Sequence, residues 1–332
     1  MKRLSALSGG AAKKAAVLCA ALLLCVLCLT GCAAPDTPRG EQSRDGTLRV
    51  VTTLFPYYDF ARAIAGGRAE VTLLLSPGRE AHSFEPTPLD AVAIARADVF
   101  VYNGGESEAW VEDMLGAVGD GPGTVVRMMD HAETRAEEFV EGMQNAEHAE
   151  DEDSDEIAYD EHIWTSPKNA AALCTALCEA LCGADEANAE AYRANCAAYV
   201  EKLDALDARF RALRSEAKRN LVVFADRMPL LYFCEEYGLR YRAAFHGCSS
   251  DTEPSLATIK YLIDKVADEG IPVVYTVDLG SKRIAEAVSE ATGAAVGTLW
   301  SMQTVSRADF DAGETYVSMM ERNLAALGEG LK

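Results

Sequence analysis

The chain has 332 residues, of which 49% are apolar, 52 are acidic and 31 are basic, so its formal net charge is −21. The apolar fraction suffices for a hydrophobic core and excludes disorder along the whole chain. The acidic balance argues against a nucleic acid partner, because phosphate backbones attract Lys and Arg, and it is compatible with a cation as ligand.

The first 31 residues have the pattern of a lipoprotein signal peptide. Four basic residues precede an uncharged apolar run at 15–30, and the sequence Leu-Thr-Gly-Cys ends at Cys32. This ending resembles a bacterial lipobox, whose cysteine carries a diacyl lipid. We therefore expect a signal peptide over 1–31, lipidation of Cys32 and a flexible polar tether over 32–46. The mature chain would then lie outside the cytoplasm, anchored to the cell membrane; an ordinary secretory signal is the alternative.

Strands and helices alternate in the first half of the chain. Short runs rich in β-branched and aromatic residues are bounded by Gly and Pro, and segments with helical spacing separate them. This alternation predicts βαβ units and a parallel sheet. The predicted strands are 48–56, 69–77, 98–105 and 123–130, and the predicted helices are 57–66, 88–97 and 106–118.

The segment 132–161 breaks this alternation. Between Glu133 and Glu161 it carries thirteen acidic residues and one arginine. Repulsion between like charges predicts that its low-complexity part, 146–162, is extended and mobile. A solvated loop is one interpretation, and a weak cation-gathering arm is the other.

A long helix is predicted at the centre of the chain. Ser166 and Pro167 have the pattern of an N-cap and first turn, opening a helix over 166–181. Apolar residues then recur every three or four positions over 185–218, which predicts one amphipathic helix of about 50 Å. Such a helix between two α/β halves would act as a stiff spine.

The second half repeats the alternation. Strands are predicted at 221–226, 239–245, 271–278 and 295–300, and helices at 229–238, 253–270, 281–293 and 315–331. The predicted fold class is α/β, with two lobes, each a mainly parallel sheet flanked by helices, joined by one long α-helix. The predicted boundaries are an N-terminal lobe at 47–183, a linking helix at 184–219 and a C-terminal lobe at 220–332.

Four side chains are candidate metal ligands by position. His82 lies in a turn-rich loop beyond the second strand, and His162 lies between the acidic segment and a helix. Asp226 and Asp278 end predicted strands of the second half. Ligand sites in open α/β sheets lie at the carboxyl ends of strands, and imidazole and carboxylate groups bind divalent ions. Exposed loop histidines and helix N-cap aspartates are the structural alternatives.

Six cysteines remain in the mature chain besides Cys32. Three of them are spaced four residues apart and share one helical face. Buried apolar surface is favoured over a metal cluster as their role, because Cys behaves as a small hydrophobe. One disulfide is possible in an oxidising compartment, and the sequence does not choose the pair. The six are Cys174, Cys178, Cys182, Cys196, Cys234 and Cys248.

Seven stretches together resemble a known family, the metal-binding lipoproteins of bacterial ABC importers for zinc and manganese. In this family a rigid helix joins two lobes, and the resemblance runs from about residue 48 to residue 331. The stretches are 50–66, the loop 77–88, 97–115, 160–170, 224–239, 247–255 and 271–293.

The resemblance implies a single divalent ion held between the lobes. The H-x-x-E-P loop supplies His82, and the histidine before W-x-S-P-K-N is His162. The fourth position, a carboxylate in a late strand, matches Asp278 with a shift of one residue.

The third ligand is less directly matched. The family has His or Glu after the first strand of the second lobe, where this chain reads FADRMP. Asp226 fits with a shift of one residue, whereas the ungapped match is Arg227, which cannot bind a cation. His246 is the reserve ligand. Zinc members of the family carry a His-rich loop, but the acidic segment here has only His148, which weakens its implied role in metal capture.

The implied function is extracytoplasmic capture of a divalent metal, with Zn²⁺ favoured and Mn²⁺ as the alternative. The implied partners are an ABC permease and its ATPase, with the chain expected to be a monomer and not an enzyme. A secreted zinc-dependent hydrolase or an adhesin are alternatives of other classes. The chain has neither H-E-x-x-H nor G-x-S-x-G, which argues against a hydrolase of those types.

Overall fold

The computed structural model describes residues 46–119, 121–143, 158–249 and 253–332. All of them belong to one compact unit. The predicted signal peptide, Cys32, the tether before residue 46, and residues 144–157 with His148 lie outside the described residues. In the described part, no helix is long and apolar enough to cross a membrane.

The first sheet has four parallel strands in the order β2-β1-β3-β4. Its strands carry Val, Thr and Phe, and every residue of β3 is buried, as expected for a sheet covered on both faces. Helices follow the first three strands in βαβ order. The strands are β1 (Leu48–Thr52), β2 (Ala69–Leu73), β3 (Val99–Tyr102) and β4 (Thr124–Arg127), and the helices are α1 (Phe55–Ala65), α2 (Pro88–Ala95) and α3 (Trp110–Ala117).

The second sheet repeats this arrangement, with four parallel strands in the order β6-β5-β7-β8. The predicted fold class of two parallel α/β sheets is therefore confirmed. The strands are β5 (Leu221–Met228), β6 (Arg240–His246), β7 (Val273–Val277) and β8 (Ala295–Leu299). The helices are α6 (Leu231–Glu236), α7 (Leu256–Glu269), α8 (Arg283–Thr292), α9 (Arg307–Asp311) and α10 (Tyr316–Gly330).

Two helices that pack antiparallel to each other connect the sheets. Helix α4 (Pro167–Ala184) opens as predicted, with the Ser166 side chain accepting a hydrogen bond from the backbone N–H of Asn169. The spine helix α5 (Ala189–Glu216) has 28 residues and spans about 42 Å, which is shorter than predicted. The reason is local, because Asp185 caps a separate 3₁₀ turn at Glu186–Asn188. These first residues of the predicted helix therefore precede α5 and do not belong to it.

Helix α10 packs back onto the spine, although it comes last in the chain. The buried carboxylate of Asp59 on α1 accepts hydrogen bonds from the Tyr199 hydroxyl on α5, at 2.8 Å, and from the Tyr316 backbone N–H, at 3.0 Å. One carboxylate thus ties three helices together. This contact joins α10, near the end of the chain, to elements of the first half. The domain boundaries drawn from the sequence stay predictions.

The start of the acidic segment is docked against the second sheet. We call residues 133–143 the acidic strap. Arg135 pairs with Glu235 at 2.8 Å, and the hydroxyls of Tyr241 and Tyr261 donate to Glu138 and Glu141 at 2.8 and 3.0 Å. The part of the acidic segment that is predicted to be extended and mobile, 146–162, lies mostly outside the described residues, so that expectation stays a prediction.

Candidate metal-binding site

The carboxyl ends of both sheets border one cavity of about 140 Å³. All four predicted ligand residues line it, two from each half of the chain. The tertiary structure thus brings together side chains that are up to 196 residues apart, between positions 82 and 278. The polar side chains at this cavity are His82, His162, Asp226 and Asp278, together with Arg79, Glu80, Arg227, Ser301, Gln303 and Thr304.

The two histidines face each other across the first-half side of the cavity. His82 is in the loop between β2 and α2, and His162 immediately precedes the 3₁₀ turn Ile163–Thr165. Their ring centroids are 5.8 Å apart, and the Gln303 amide nitrogen is 3.5 Å from Nε2 of His82. Burial, and next the proximity of His162, lower the pKa of His82 to about 4. His82 is therefore a neutral imidazole at neutral pH, which is the form that binds metals.

Asp160 orients His162 and was not among the predicted site residues. Its Oδ1 accepts the His162 backbone N–H at 2.8 Å and lies 3.2 Å from the ring Nδ1. Burial disfavours the charged imidazole, but the Asp160 carboxylate outweighs it and raises the pKa of His162. With Nδ1–H donated to Asp160, the lone pair of Nε2 is left for a ligand. The signal in the sequence was the Asp two positions before the His.

Trp164 connects the histidine side of the cavity with the carboxylate side. Its ring centroid is 5.5 Å from that of His162, and its indole N–H donates to the Ser301 carbonyl at 2.7 Å. The Ser301 backbone N–H in turn donates to Asp278 at 2.7 Å. The buried indole of Trp164 thus connects His162 with Asp278 by way of the Ser301 backbone.

The two aspartates come from the second sheet. Asp226 lies within β5 rather than at its end, because β5 carries one extra residue relative to β6 between Phe224 and Arg227. Asp226 accepts backbone N–H bonds from Arg227 at 2.8 Å and Val277 at 3.1 Å. Asp278 follows the last residue of β7 directly.

Burial raises the pKa of both carboxyl groups, and it raises that of Asp278 to about 6. The backbone N–H bonds oppose this shift in each case. Both groups therefore have ionised forms that are poorly solvated. A divalent cation bound by both carboxylates would offset the free-energy cost of this poor solvation.

Two arginines, Arg79 and Arg227, belong to the wall of the cavity. The Arg227 guanidinium pairs with Glu80 at 3.4 Å, and the two residues come from opposite halves of the chain. The side chain of Arg227 is about one-fifth exposed, so this is an ion pair at the rim. It occupies Glu80 and places positive charge beside the predicted ligands.

His246 lies outside this cavity. Its Nδ1 is paired with Glu137 of the acidic strap, and the Phe139 ring packs against it at 5.1 Å. Glu137 also accepts the Cys248 backbone N–H at 3.1 Å. Burial works against ionisation of Glu137, but the bonds from His246 and Cys248 outweigh it and lower the pKa of this group. His246 is therefore engaged in anchoring the strap.

Two imidazole nitrogens and two carboxylates suit Zn²⁺ and also Mn²⁺. In the part of the chain that is described, no three His, Cys, Asp or Glu side chains converge closely enough to hold an ion as they stand. Side-chain rotation or a small approach of the two sheets would have to complete the coordination.

Comparison with known proteins decides the family. The model of the family ZnuA, described as zinc-uptake complex component A, periplasmic, matches residues 50–330. The chain belongs to the ZnuA family. The cavity between the two sheets thus belongs to a member of a family whose description refers to zinc uptake.

Two relatives of this ZnuA family member and one solved structure illustrate the similarity. The zinc-binding lipoprotein AdcA of Streptococcus pneumoniae is 32% identical over 316 residues, covering 95% of this chain and 60% of AdcA. The high-affinity zinc uptake system protein ZnuA of Bacillus subtilis is 29% identical over 313 residues, covering 92% of this chain and 95% of that protein. The crystal structure of the Zn(II)-bound ZnuA-like domain of S. pneumoniae AdcA has a TM-score of 0.69 at 30% identity, covering 86% of this chain and 99% of that domain. The chain therefore spans about 60% of the length of the streptococcal relative.

Proposed function

We propose that this protein captures a divalent metal ion, zinc in preference to manganese, between its two lobes and delivers it to an ABC permease for import. The observation that carries the proposal is the convergence of His82, His162, Asp226 and Asp278 on one cavity at the carboxyl ends of both sheets. Family membership and the zinc-binding names of the relatives support it.

In this mechanism the ion is the cargo. His82 and His162 present neutral imidazole nitrogens, for which zinc bonds are about 2.0–2.1 Å long. Asp226 and Asp278 contribute oxygens from the other lobe. Because the ligands come from both lobes, binding the ion draws the lobes together, and the continuous spine helix limits that closure to a small movement.

Zinc is preferred for two reasons. For a given set of nitrogen and oxygen ligands, the affinity order places zinc above manganese. The relatives with 29 to 32% identity also carry names that refer to zinc. A set of two histidines and two carboxylates would still accept manganese, which therefore remains the alternative cargo.

The delivery step needs a membrane anchor and a transporter. A lipid on Cys32 would hold the protein at the outer face of the cell membrane, and residues up to 46 would serve as the tether. The partner is an ABC permease with its ATPase, docked by a monomer of this chain.

A zinc hydrolase is the rival of another class. It would need an open coordination position and a carboxylate free to act as general base. Besides the two aspartates, the described carboxylate that lines this cavity is Glu80, and it is paired with Arg227. That pairing supports transport over hydrolysis.

The test is a competitive titration of the full-length lipoprotein in detergent micelles with Zn²⁺ and with Mn²⁺. We expect one tightly bound zinc per chain, weaker manganese, and a loss of more than about 100-fold on His162→Ala or Asp226→Ala. His246→Ala is the matched control and should leave zinc affinity unchanged. Loss of binding in His246→Ala with retention in Asp226→Ala would overturn the ligand assignment, and the absence of tight one-to-one binding of either metal would overturn the function.

A further inference from the structure

The loop that follows β8 brings an amide side chain to the metal cavity. Gln303 lies in this loop, is 7% exposed and lines the cavity between the two sheets. Its amide nitrogen is 3.5 Å from Nε2 of His82, and within the described residues its amide oxygen accepts no hydrogen bond. A buried amide oxygen without a donor is unfavourable. The four proposed ligands do not account for this oxygen beside one of them.

The backbone of this loop is held in a strained conformation that fixes the position of Gln303. Met302, the residue before it, is fully buried and has a φ of 59°, a left-handed conformation that residues other than glycine seldom adopt. Asn323 on α10 fastens the loop by accepting the Trp300 backbone N–H at 2.7 Å and donating to the Trp300 carbonyl at 2.8 Å. Strained backbone that surrounding contacts hold in place is typical of functional sites.

The distance between Gln303 and His82 is that expected between two ligands of one ion. Zinc bonds to nitrogen and oxygen are about 2.0–2.2 Å long, so two donor atoms at an angle of about 110–120° lie about 3.3–3.8 Å apart. The observed separation of 3.5 Å falls within this range. As a hydrogen bond, the same contact is long and therefore weak.

The amide of Gln303 can present either its nitrogen or its oxygen to the cavity. The terminal torsion of a glutamine is broad and roughly two-fold, so a half-turn exchanges the two atoms at little cost. A cation on the lone pair of His82 Nε2 repels an amide N–H group and attracts a carbonyl oxygen. Amide oxygens bind divalent cations in proteins. Binding of the ion therefore favours the orientation in which the oxygen faces it.

We propose that Gln303 is a further ligand of the captured ion, through its amide oxygen, in addition to the two histidines and the two aspartates. This inference rests on the proposed function. A zinc site can expand to five ligands. The amide is neutral, so it adds a donor atom while the charges of the two aspartates still balance that of a divalent ion. Because carbonyl oxygens suit manganese better than zinc, Gln303 also lowers the preference of the site for zinc.

The test measures the zinc and manganese affinities of the full-length lipoprotein and its variants by competition with a chromophoric chelator. Gln303→Leu removes the donor atom at similar size, and Gln303→Glu keeps an oxygen at the same reach. Asn195→Leu is the matched control, because the Asn195 amide donates to the Ile64 carbonyl at 2.9 Å and does not line the metal cavity. Thermal unfolding of the metal-free proteins shows whether each variant is folded.

We expect Gln303→Leu to weaken zinc binding about 3- to 10-fold and manganese binding about 30- to 100-fold. Gln303→Glu should bind both metals at least as tightly as the wild type, and Asn195→Leu should bind both unchanged. If Gln303→Leu does not fold, Gln303→Asn replaces it with the same expected losses, because its amide is withdrawn by one methylene.

Unchanged affinities in Gln303→Leu would overturn the proposal. Equal losses for the two metals would indicate a structural role and overturn it as well, and so would weakened binding in Gln303→Glu. A wild type that binds neither metal would overturn the proposed function itself. Tight zinc binding by the wild type that Gln303→Leu fully retains would refute only the role of Gln303.

Discussion

Replacing Asp160 tests how much the orientation of His162 contributes to zinc binding, because the predicted ligand His162 itself stays in place. Asp160 is 2% exposed and holds His162 by two contacts, at 2.8 Å to the backbone nitrogen and 3.2 Å to Nδ1. A hydrogen bond to a charged group contributes about 1.5–3 kcal/mol, and about 1.4 kcal/mol corresponds to a factor of ten in affinity. We therefore expect Asp160→Ala to weaken zinc binding by about 10- to 100-fold. Asp160→Asn keeps the acceptor oxygen and loses the charge, so its loss should be smaller, about 3- to 10-fold.

The assay is competition for zinc with a chromophoric chelator, with thermal unfolding recorded in parallel. Asp59→Asn is the control, because Asp59 is also a buried carboxylate that accepts a backbone N–H but does not line the cavity. This control should lose stability and keep its zinc affinity. A loss of less than about 3-fold in Asp160→Ala would refute the positioning role.

The pH profile provides a second criterion for Asp160. The carboxylate raises the pKa of His162, so protons compete with zinc more strongly in the wild type than in Asp160→Asn. The difference in affinity between the two proteins should therefore be largest near pH 8 and shrink near pH 6. A difference that is the same at each pH would indicate a general structural role instead.

Three further predictions follow from the same cavity. Zinc affinity of the wild type should rise between about pH 5.5 and 7.5, because His162 has a raised pKa and Asp278 a pKa of about 6, and both must lose a proton to bind; a flat profile would contradict this. Asp278→Asn should stabilise the metal-free protein in urea unfolding at neutral pH. Because folding raises the pKa of Asp278, the wild type loses folding stability as this carboxyl ionises between about pH 4 and pH 6, and the amide does not ionise. The gain should be about 1–2 kcal/mol, since the group keeps some solvent access, while zinc binding is lost; a destabilised variant would contradict the sign. Arg227→Gln should tighten zinc binding by about 3- to 10-fold by removing a positive charge and freeing Glu80, and unchanged affinity in the competition assay would show that Arg227 is remote from the bound ion.

The alternation of strands and helices, and hence the fold class, could be derived from local patterns. Each sheet is parallel, so its strands are short continuous apolar runs that stand out between Gly and Pro. The N-cap at Ser166 was predictable for a similar reason, because a capping side chain bonds to a backbone N–H three positions away. His82 and His162 were likewise identified from their positions in loops and from the family resemblance.

The roles of Asp160, His246 and the acidic strap could not be derived in this way. Charge counting alone does not show that the strap is docked, with Glu138 accepting a hydrogen bond from the hydroxyl of Tyr241, 103 residues further along the chain. His246 was the reserve choice for the third ligand, yet its ring is paired with Glu137 of that strap. Both outcomes depend on contacts between segments that no local pattern relates.

The sequence by itself therefore determined the elements, the fold class and the candidate ligands, because backbone preferences and helical or strand periodicity act over a few residues. Only the tertiary structure decided which candidates meet. It placed Asp226 at a β-bulge that lines the same cavity as Asp278, and it set Asp160 beside the ring of His162. The physical reason is that a site of this kind depends on side chains converging to within a few ångströms, and packing between distant segments alone sets those distances.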